Sequence, residues 1–302
     1  MVEIQIDPAE RLPGALPGEK VNAALAVLAE DGVVVLKNSA DVENVDALGH
    51  RMIDDLARFE ADHELANNFQ GVRQPPFHPW LFRDLVYNEP AITISHRILG
   101  DGITLTSYGS NTAFIGSGFQ KVHADSAAPK PGQGPCTHIV INVPLVDMTL
   151  ENGATRYWPG SHKDGRIYAS NRHPTEAMLV EQEARRPAEQ TIAQRGDTIV
   201  RDMRVWHGGV PNTSSQHRPM LALVHANTHP GKGTFEAEEG SEDFWQHSVL
   251  DAAPLFVPKP IDYLTQGHSR PHLPPPSGRT DLPVGNDSQR EAITSVDHAR
   301  LY

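Results

Sequence analysis

The chain has 302 residues, a formal net charge of −12 and a single cysteine, Cys136. Scattered Lys and Arg exclude the clustered positive face of a nucleic-acid binder, one cysteine excludes an internal disulfide framework, and the length suits one large catalytic domain. No basic stretch precedes an apolar run at the N-terminus and no window approaches the roughly 20 apolar residues of a membrane span, so the expectation is a soluble, cytoplasmic protein.

Residues 18 to 31 read as an amphipathic helix with Val21, Leu25 and Leu28 on one face, and Gly32 stands where a glycine ends a helix. Val33-Val34-Val35-Leu36 follows as a buried strand, and a second helix is expected from about Val42 to Glu64 along Val45, Leu48, Met52, Ile53 and Leu56. Residues 67 to 80 lack periodicity, contain two successive prolines and read as a loop bearing Phe69, Phe77 and Trp80. Leu81 to Leu99 reads as largely helical with an interruption near Pro90. From there strands dominate, at 103–114, 119–124, 138–146, 154–158, 189–193, 197–202 and 219–227, with a helical insertion near Thr175 to Arg185. Short strands parted by turns, in a chain with 25 prolines and 24 glycines, predict a sandwich or jelly roll rather than a parallel sheet. Residues 1–230 are read as the catalytic domain. Residues 231–302 are read as an extension packing on it or on a partner subunit, loosely ordered from about 265 through its proline-rich stretch.

Within the strand region, His123-Ala124-Asp125 places two metal-binding side chains on one side of an extended segment. In a chain with 16 histidines the tripeptide alone can be coincidence. His207 ends a later β-type run beside the flexible Gly208-Gly209 pair, where its bland alternative is a core histidine next to Trp206. Two histidines and one carboxylate form the facial triad of non-haem Fe(II) oxygenases, which leaves coordination positions open. Arg218 opens the following strand and suits bidentate recognition of a carboxylate, although an arginine there can also be a plain surface charge. Between these segments Asn152-Gly153 and Pro159-Gly160 are turn signals enclosing a short strand.

The ordered set His123-x-Asp125, Asn152-Gly153-Ala154-Thr155, Pro159-Gly160-Ser161-His162, His207 and Arg218 resembles the phytanoyl-CoA dioxygenase family of Fe(II)/2-oxoglutarate oxygenases, over roughly residues 20 to 230. The resemblance implies a mainly β fold with flanking helices around a double-stranded β-helix, the cupin-like jelly roll. It implies that His123, Asp125 and His207 hold iron and are the catalytic set. Arg218 and Thr155 are then expected on the distal carboxylate of the co-substrate 2-oxoglutarate, with Gln120 near its other end. His162 matches the family's Gly-Ser-His, where a hydrogen-bonded structural role is expected. His138 is expected to face either the core or the co-substrate, and His225 and His229 to line the pocket or its mouth or to lie at the surface, none of them on the metal.

The implied reaction decarboxylates 2-oxoglutarate to succinate and uses dioxygen to oxidise a substrate C–H bond. Related halogenases carry a small residue in place of the carboxylate, so the intact Asp125 favours oxygen chemistry. A small or medium organic metabolite is the expected substrate, held by Phe69, Phe77, Trp80, Tyr108, Phe114 and Trp158, with a homodimer as the expected assembly. The acidic balance gives little support to a coenzyme A thioester, so natural-product tailoring is preferred over an acyl-CoA hydroxylase. The rivals are a cupin-type metal oxygenase that uses no 2-oxoglutarate and a non-enzymatic member that only binds a ligand.

Overall fold

The computed structural model describes residues 1–62, 72–126, 136–168, 170–228, 233 and 235–264. Phe69, His229 and the proline-rich stretch beyond 264 therefore lie outside the described residues. Among the described residues, twelve strands and five α-helices follow in chain order. They are β1 (Glu3–Gln5), α1 (Gly18–Glu30), β2 (Val33–Lys37), α2 (Val42–Asp62), α3 (Arg83–Val86), α4 (Glu89–Leu99), β3 (Thr104–Ala113), β4 (His138–Pro144) and β5 (Arg156–Tyr157). Then come α5 (Glu176–Arg185), β6 (Glu189–Gln190), β7 (Thr198–Asp202), β8 (His207–Gly208), β9 (Arg218–Ala226), β10 (Glu236–Glu238), β11 (Asp251–Ala252) and β12 (Leu255–Val257).

Seven strands form the major sheet in the order β1-β2-β7-β4-β9-β3-β11, and β6-β5-β8 form a small one. The long β9 pairs antiparallel with both β4 and β3, which makes it an interior strand of the major sheet. Directly paired residues of neighbouring strands point to the same face, so registers sort the side chains. Leu105, Ile139, Ile141, Val143, Val200, Leu221 and Leu223 face the helices and share one core with Val21, Leu28, Leu48, Met52, Ile92 and Ile94. The opposite face, with Asn111, Asn142, Ile199, Arg201, Arg218 and Met220, turns toward a cavity. This is a jelly-roll core with a helical layer on its outer side.

Local chemistry accounts for the boundaries. Gly32 has φ 80° and donates its amide to the Leu28 carbonyl, closing α1 as a residue with a Cβ would not do without strain. The helical stretch before residue 100 breaks at Tyr87-Asn88 rather than at Pro90. The Asn88 side chain caps α4 by accepting from the Ala91 amide (3.2 Å), and Pro90 fits the first turn, where no amide is needed. One expected strand, 119–124, is an extended segment with a single paired position, His123 with His207. Residues 235–264 belong to the same body: β11 extends the major sheet beside β3, and Phe235, Ala237, Trp245 and Leu250 enter the helix-side core.

Candidate active site

His207 sits in register between Tyr157 of β5 and His123, so all three side chains emerge on one face of the small sheet, toward the cavity. The His123 and His207 amides exchange hydrogen bonds with each other's carbonyls at 2.9 Å, which fixes the two imidazoles with ring centroids 4.4 Å apart. Asp125, two residues on from His123, returns to the same side. Its Oδ1 is 3.5 Å from Nε2 of His123 and 3.6 Å from Nε2 of His207. Donor atoms of the three residues all lie within 4.8 Å of one another.

The protonation pattern suits a divalent cation. Nδ1 of His123 lies 2.9 Å from the Lys121 carbonyl and Nδ1 of His207 lies 3.0 Å from that of Val205. A carbonyl only accepts, so both Nδ1 atoms carry the proton and both Nε2 lone pairs face Asp125. Burial pushes His207 down to about 3, with Arg201 adding to the effect, which keeps the imidazole neutral. Burial alone raises the Asp125 carboxyl, but the charge of Arg201 and its hydrogen bond to Oδ2 oppose this, and the group is held well below the usual carboxylate range. Two neutral imidazoles and one carboxylate are the donor set that Fe(II) takes in a facial triad.

Arg218 is 3% exposed. One of its Nη atoms donates to the Gly153 carbonyl at 3.1 Å, while Nε has no partner among the described residues. Burial pushes its guanidinium down to about 10. A buried cation with an unused donor is costly unless an anion meets it, and the fit to a carboxylate-bearing co-substrate rests on that orphaned Nε. Thr112, whose hydroxyl is also buried without a partner among the described residues, lines the same cavity, as do Thr155 and Gln120. The Gln120 carboxamide oxygen accepts from the Gly209 amide (3.1 Å), so its NH2 is the end free to meet a ligand. Gly208 permits this close packing, since a Cβ there would lie 2.9 Å from the Gln120 carbonyl.

The structure thus brings His123, Asp125, His207, Gln120, Thr155 and Arg218 to one cavity. Of the expected aromatics, it does not bring the five described ones there. Tyr108 pairs with Leu223 and faces the helical side, packed against Phe235 and Trp245. Trp158 alternates with the cavity-facing Tyr157 and points the other way, into a cluster with Trp206 and Ala124, its indole donating to Glu183 (2.7 Å). Phe114 packs with Leu56, Phe59 and Val72, and Phe77 meets Tyr263 edge-on. Trp80 lies against the helix-side core with the Arg51 guanidinium 5.1 Å over its ring. His162 is buried against Gly32 and Val205, away from the triad, and His225 is buried against Ser95 on the helix side.

Sequence reasoning missed Arg201. Its Nη2 donates to Oδ2 of Asp125 at 2.6 Å, and Nη1 lies 3.3 Å from Nδ1 of His207. The signal was present: a charged residue inside the buried run Thr198-Ile199-Val200-Arg201 needs a buried partner. Asn142, inside Ile139-Val140-Ile141-Asn142-Val143, is a second cavity residue of the same kind.

Residues 28–220, which contain every one of these site residues, match the profile of the phytanoyl-CoA dioxygenase family. The chain belongs to the phytanoyl-CoA dioxygenase family. Among similar proteins is the dioxygenase af480 of Aspergillus fumigatus, 30% identical over 152 residues, 49% of this chain and 45% of that one. The Fe(II)/2-oxoglutarate-dependent dioxygenase nvfF of Aspergillus novofumigatus is 26% identical over 259 residues, 74% of this chain and 79% of that one. Of solved structures, the non-haem α-ketoglutarate-dependent carbocyclase SnoK from nogalamycin biosynthesis superposes with a TM-score of 0.54 at 19% identity, covering 82% of this chain and 94% of that one. That likeness supports the jelly-roll fold of the family. No helix among the described residues is long and apolar enough to cross a membrane.

Proposed function

We propose that this Fe(II)- and 2-oxoglutarate-dependent dioxygenase oxidises a C–H bond, by hydroxylation, of a small or medium organic metabolite in natural-product tailoring. The observation that carries the proposal is one cavity holding a neutral-His, ionised-Asp triad together with a buried, underpartnered arginine. Iron held by His123, Asp125 and His207 supplies the oxidising chemistry when bound, with 2-oxoglutarate as the electron source. Arg218 and Thr155 bind and orient the distal carboxylate. Arg201 keeps Oδ2 of Asp125 engaged so that Oδ1 is the oxygen turned to both imidazoles. The carboxylate at position 125 supports oxygenation rather than halide transfer. The tailoring role is supported by the similarity to SnoK, which comes from nogalamycin biosynthesis.

The test is anaerobic addition of Fe(II) and 2-oxoglutarate to metal-free protein. A weak visible band that needs both additions, and succinate release in air with a panel of candidate metabolites, are the expected results. Folded protein that gives no band, or an Arg218→Ala variant with unchanged 2-oxoglutarate affinity, refutes the co-substrate assignment and favours the cupin-type alternative.

A further inference from the structure

The segment carrying two of the three triad residues is thinly held by the small sheet. On that side, Gln120 donates its amide to the Gly209 carbonyl, and His123 makes the paired bonds with His207. Its other edge is satisfied by a turn. The Ala124 amide donates to the Arg172 carbonyl at 2.9 Å, and the Arg172 guanidinium donates to the Asp125 carbonyl at 2.8 Å. Nδ1 of His173 donates to the Val122 carbonyl at 2.9 Å. The main chain on both sides of His123, and that of Asp125 itself, is therefore tied to two adjacent residues of one turn.

The backbone making these ties is strained. Asn171 and Arg172 have φ of 52° and 67°, in the left-handed region that side chains with a Cβ adopt at a cost. Strain of this kind persists where the surroundings over-determine it. A turn needed only to reverse the chain would be more easily made with glycine at either position. The Arg172 side chain is exposed, so burial does not explain it.

We propose that residues 171–173 form a positioning clasp for His123 and Asp125, with Arg172 and His173 as its working side chains; this rests on the metal assignment above. Neither residue touches the metal. Arg172 acts through the main chain of Asp125 and His173 through that of Val122, together setting the spacing of the two ligands relative to His207.

The experiment titrates metal-free protein with Mn(II), following free Mn(II) by electron paramagnetic resonance, with a melting curve for each protein. Wild type, His123→Ala, Arg172→Gly, Arg172→Lys and His173→Ala are compared. Glycine accepts the left-handed backbone, so Arg172→Gly is expected to melt at or above the wild-type temperature while its Mn(II) Kd rises about tenfold, the usual effect of losing a group that orients a metal ligand. Lysine keeps a cationic donor and restores part of the affinity. His173→Ala weakens binding by a similar factor. Wild-type affinity in both Arg172→Gly and His173→Ala overturns the clasp. So does an affinity loss in Arg172→Gly that follows a drop in melting temperature and is not eased by lysine. If wild type binds Mn(II) no better than His123→Ala, the metal assignment itself fails, which separates the two ideas.

Discussion

Replacing Arg218 by methionine is expected to make the ligand-free protein more stable and the co-substrate bind far more weakly. Burial lowers the Arg218 guanidinium to about 10 from an ordinary value above 12. A drop of more than two pH units, at about 1.4 kcal/mol each, means about 3 kcal/mol of unfavourable charge burial without an anion. Methionine removes that cost at similar length. It also removes the hydrogen bond to the Gly153 carbonyl, worth about 1 kcal/mol. The net gain is about 2 kcal/mol, a rise of roughly 4 °C in melting temperature. Truncating one partner of a buried charge pair costs about 2–5 kcal/mol, so the Kd for 2-oxoglutarate rises at least about thirtyfold. Thermal melts with and without 2-oxoglutarate, and calorimetric titration of the Mn(II)-loaded protein, read both quantities. A variant that melts lower than wild type and binds 2-oxoglutarate equally well refutes the reasoning, because Arg218 is then a structural cation satisfied by the fold.

Arg201→Gln removes the cation from Oδ2 of Asp125 and is expected to weaken Mn(II) binding by about 10–100-fold in the same titration. Gly153→Ala places a Cβ 2.9 Å from the Val210 carbonyl on a backbone with φ 82°. A loss of about 2 kcal/mol by chemical denaturation is expected, together with a higher 2-oxoglutarate Kd because the Gly153 carbonyl anchors Arg218. Burial, with a contribution from His247, pushes His225 down to about 3, whereas an unfolded imidazole titrates near 6.5. Between those values the unfolded chain binds the extra proton, so stability falls as pH drops through the window, by about 2 kcal/mol from pH 6.5 to 5. His225→Asn, which retains a polar partner for Ser95, is expected to reduce the slope of urea-denaturation stability against pH over that range, the part due to His207 remaining.

The helices and strands legible in the sequence are those whose own periodicity demands burial. The apolar spacing of Val45, Leu48, Met52 and Leu56 gives a buried face of α2, and β3, β4, β7 and β9 lie where apolar β-type runs occur. The triad was legible because period-two alternation puts His123 and Asp125 on one side whatever the surroundings. The substrate aromatics were not, because which face of a strand looks inward is decided by pairing across the sheet. Tyr157 and Trp158 are indistinguishable as letters, and the register with His207 selects the tyrosine. Residues 119–124 read as a strand because they are extended, yet most of their second edge is bonded to a turn about 50 residues away, which no local pattern records.

The row formed by Tyr157, His207 and His123 across three neighbouring chain segments has a consequence for assembly of the protein. β8 is two residues long, and a slip by one position would present Trp206 or Gly208 to the cavity in place of His207. Such a misregistered chain lacks the second imidazole of the donor set and binds a divalent ion poorly, whereas the correct register is stabilised increasingly as the metal concentration rises. In a small sheet whose three strands are each two residues long, a bound ion would thus favour the one alignment of β8 that can hold it.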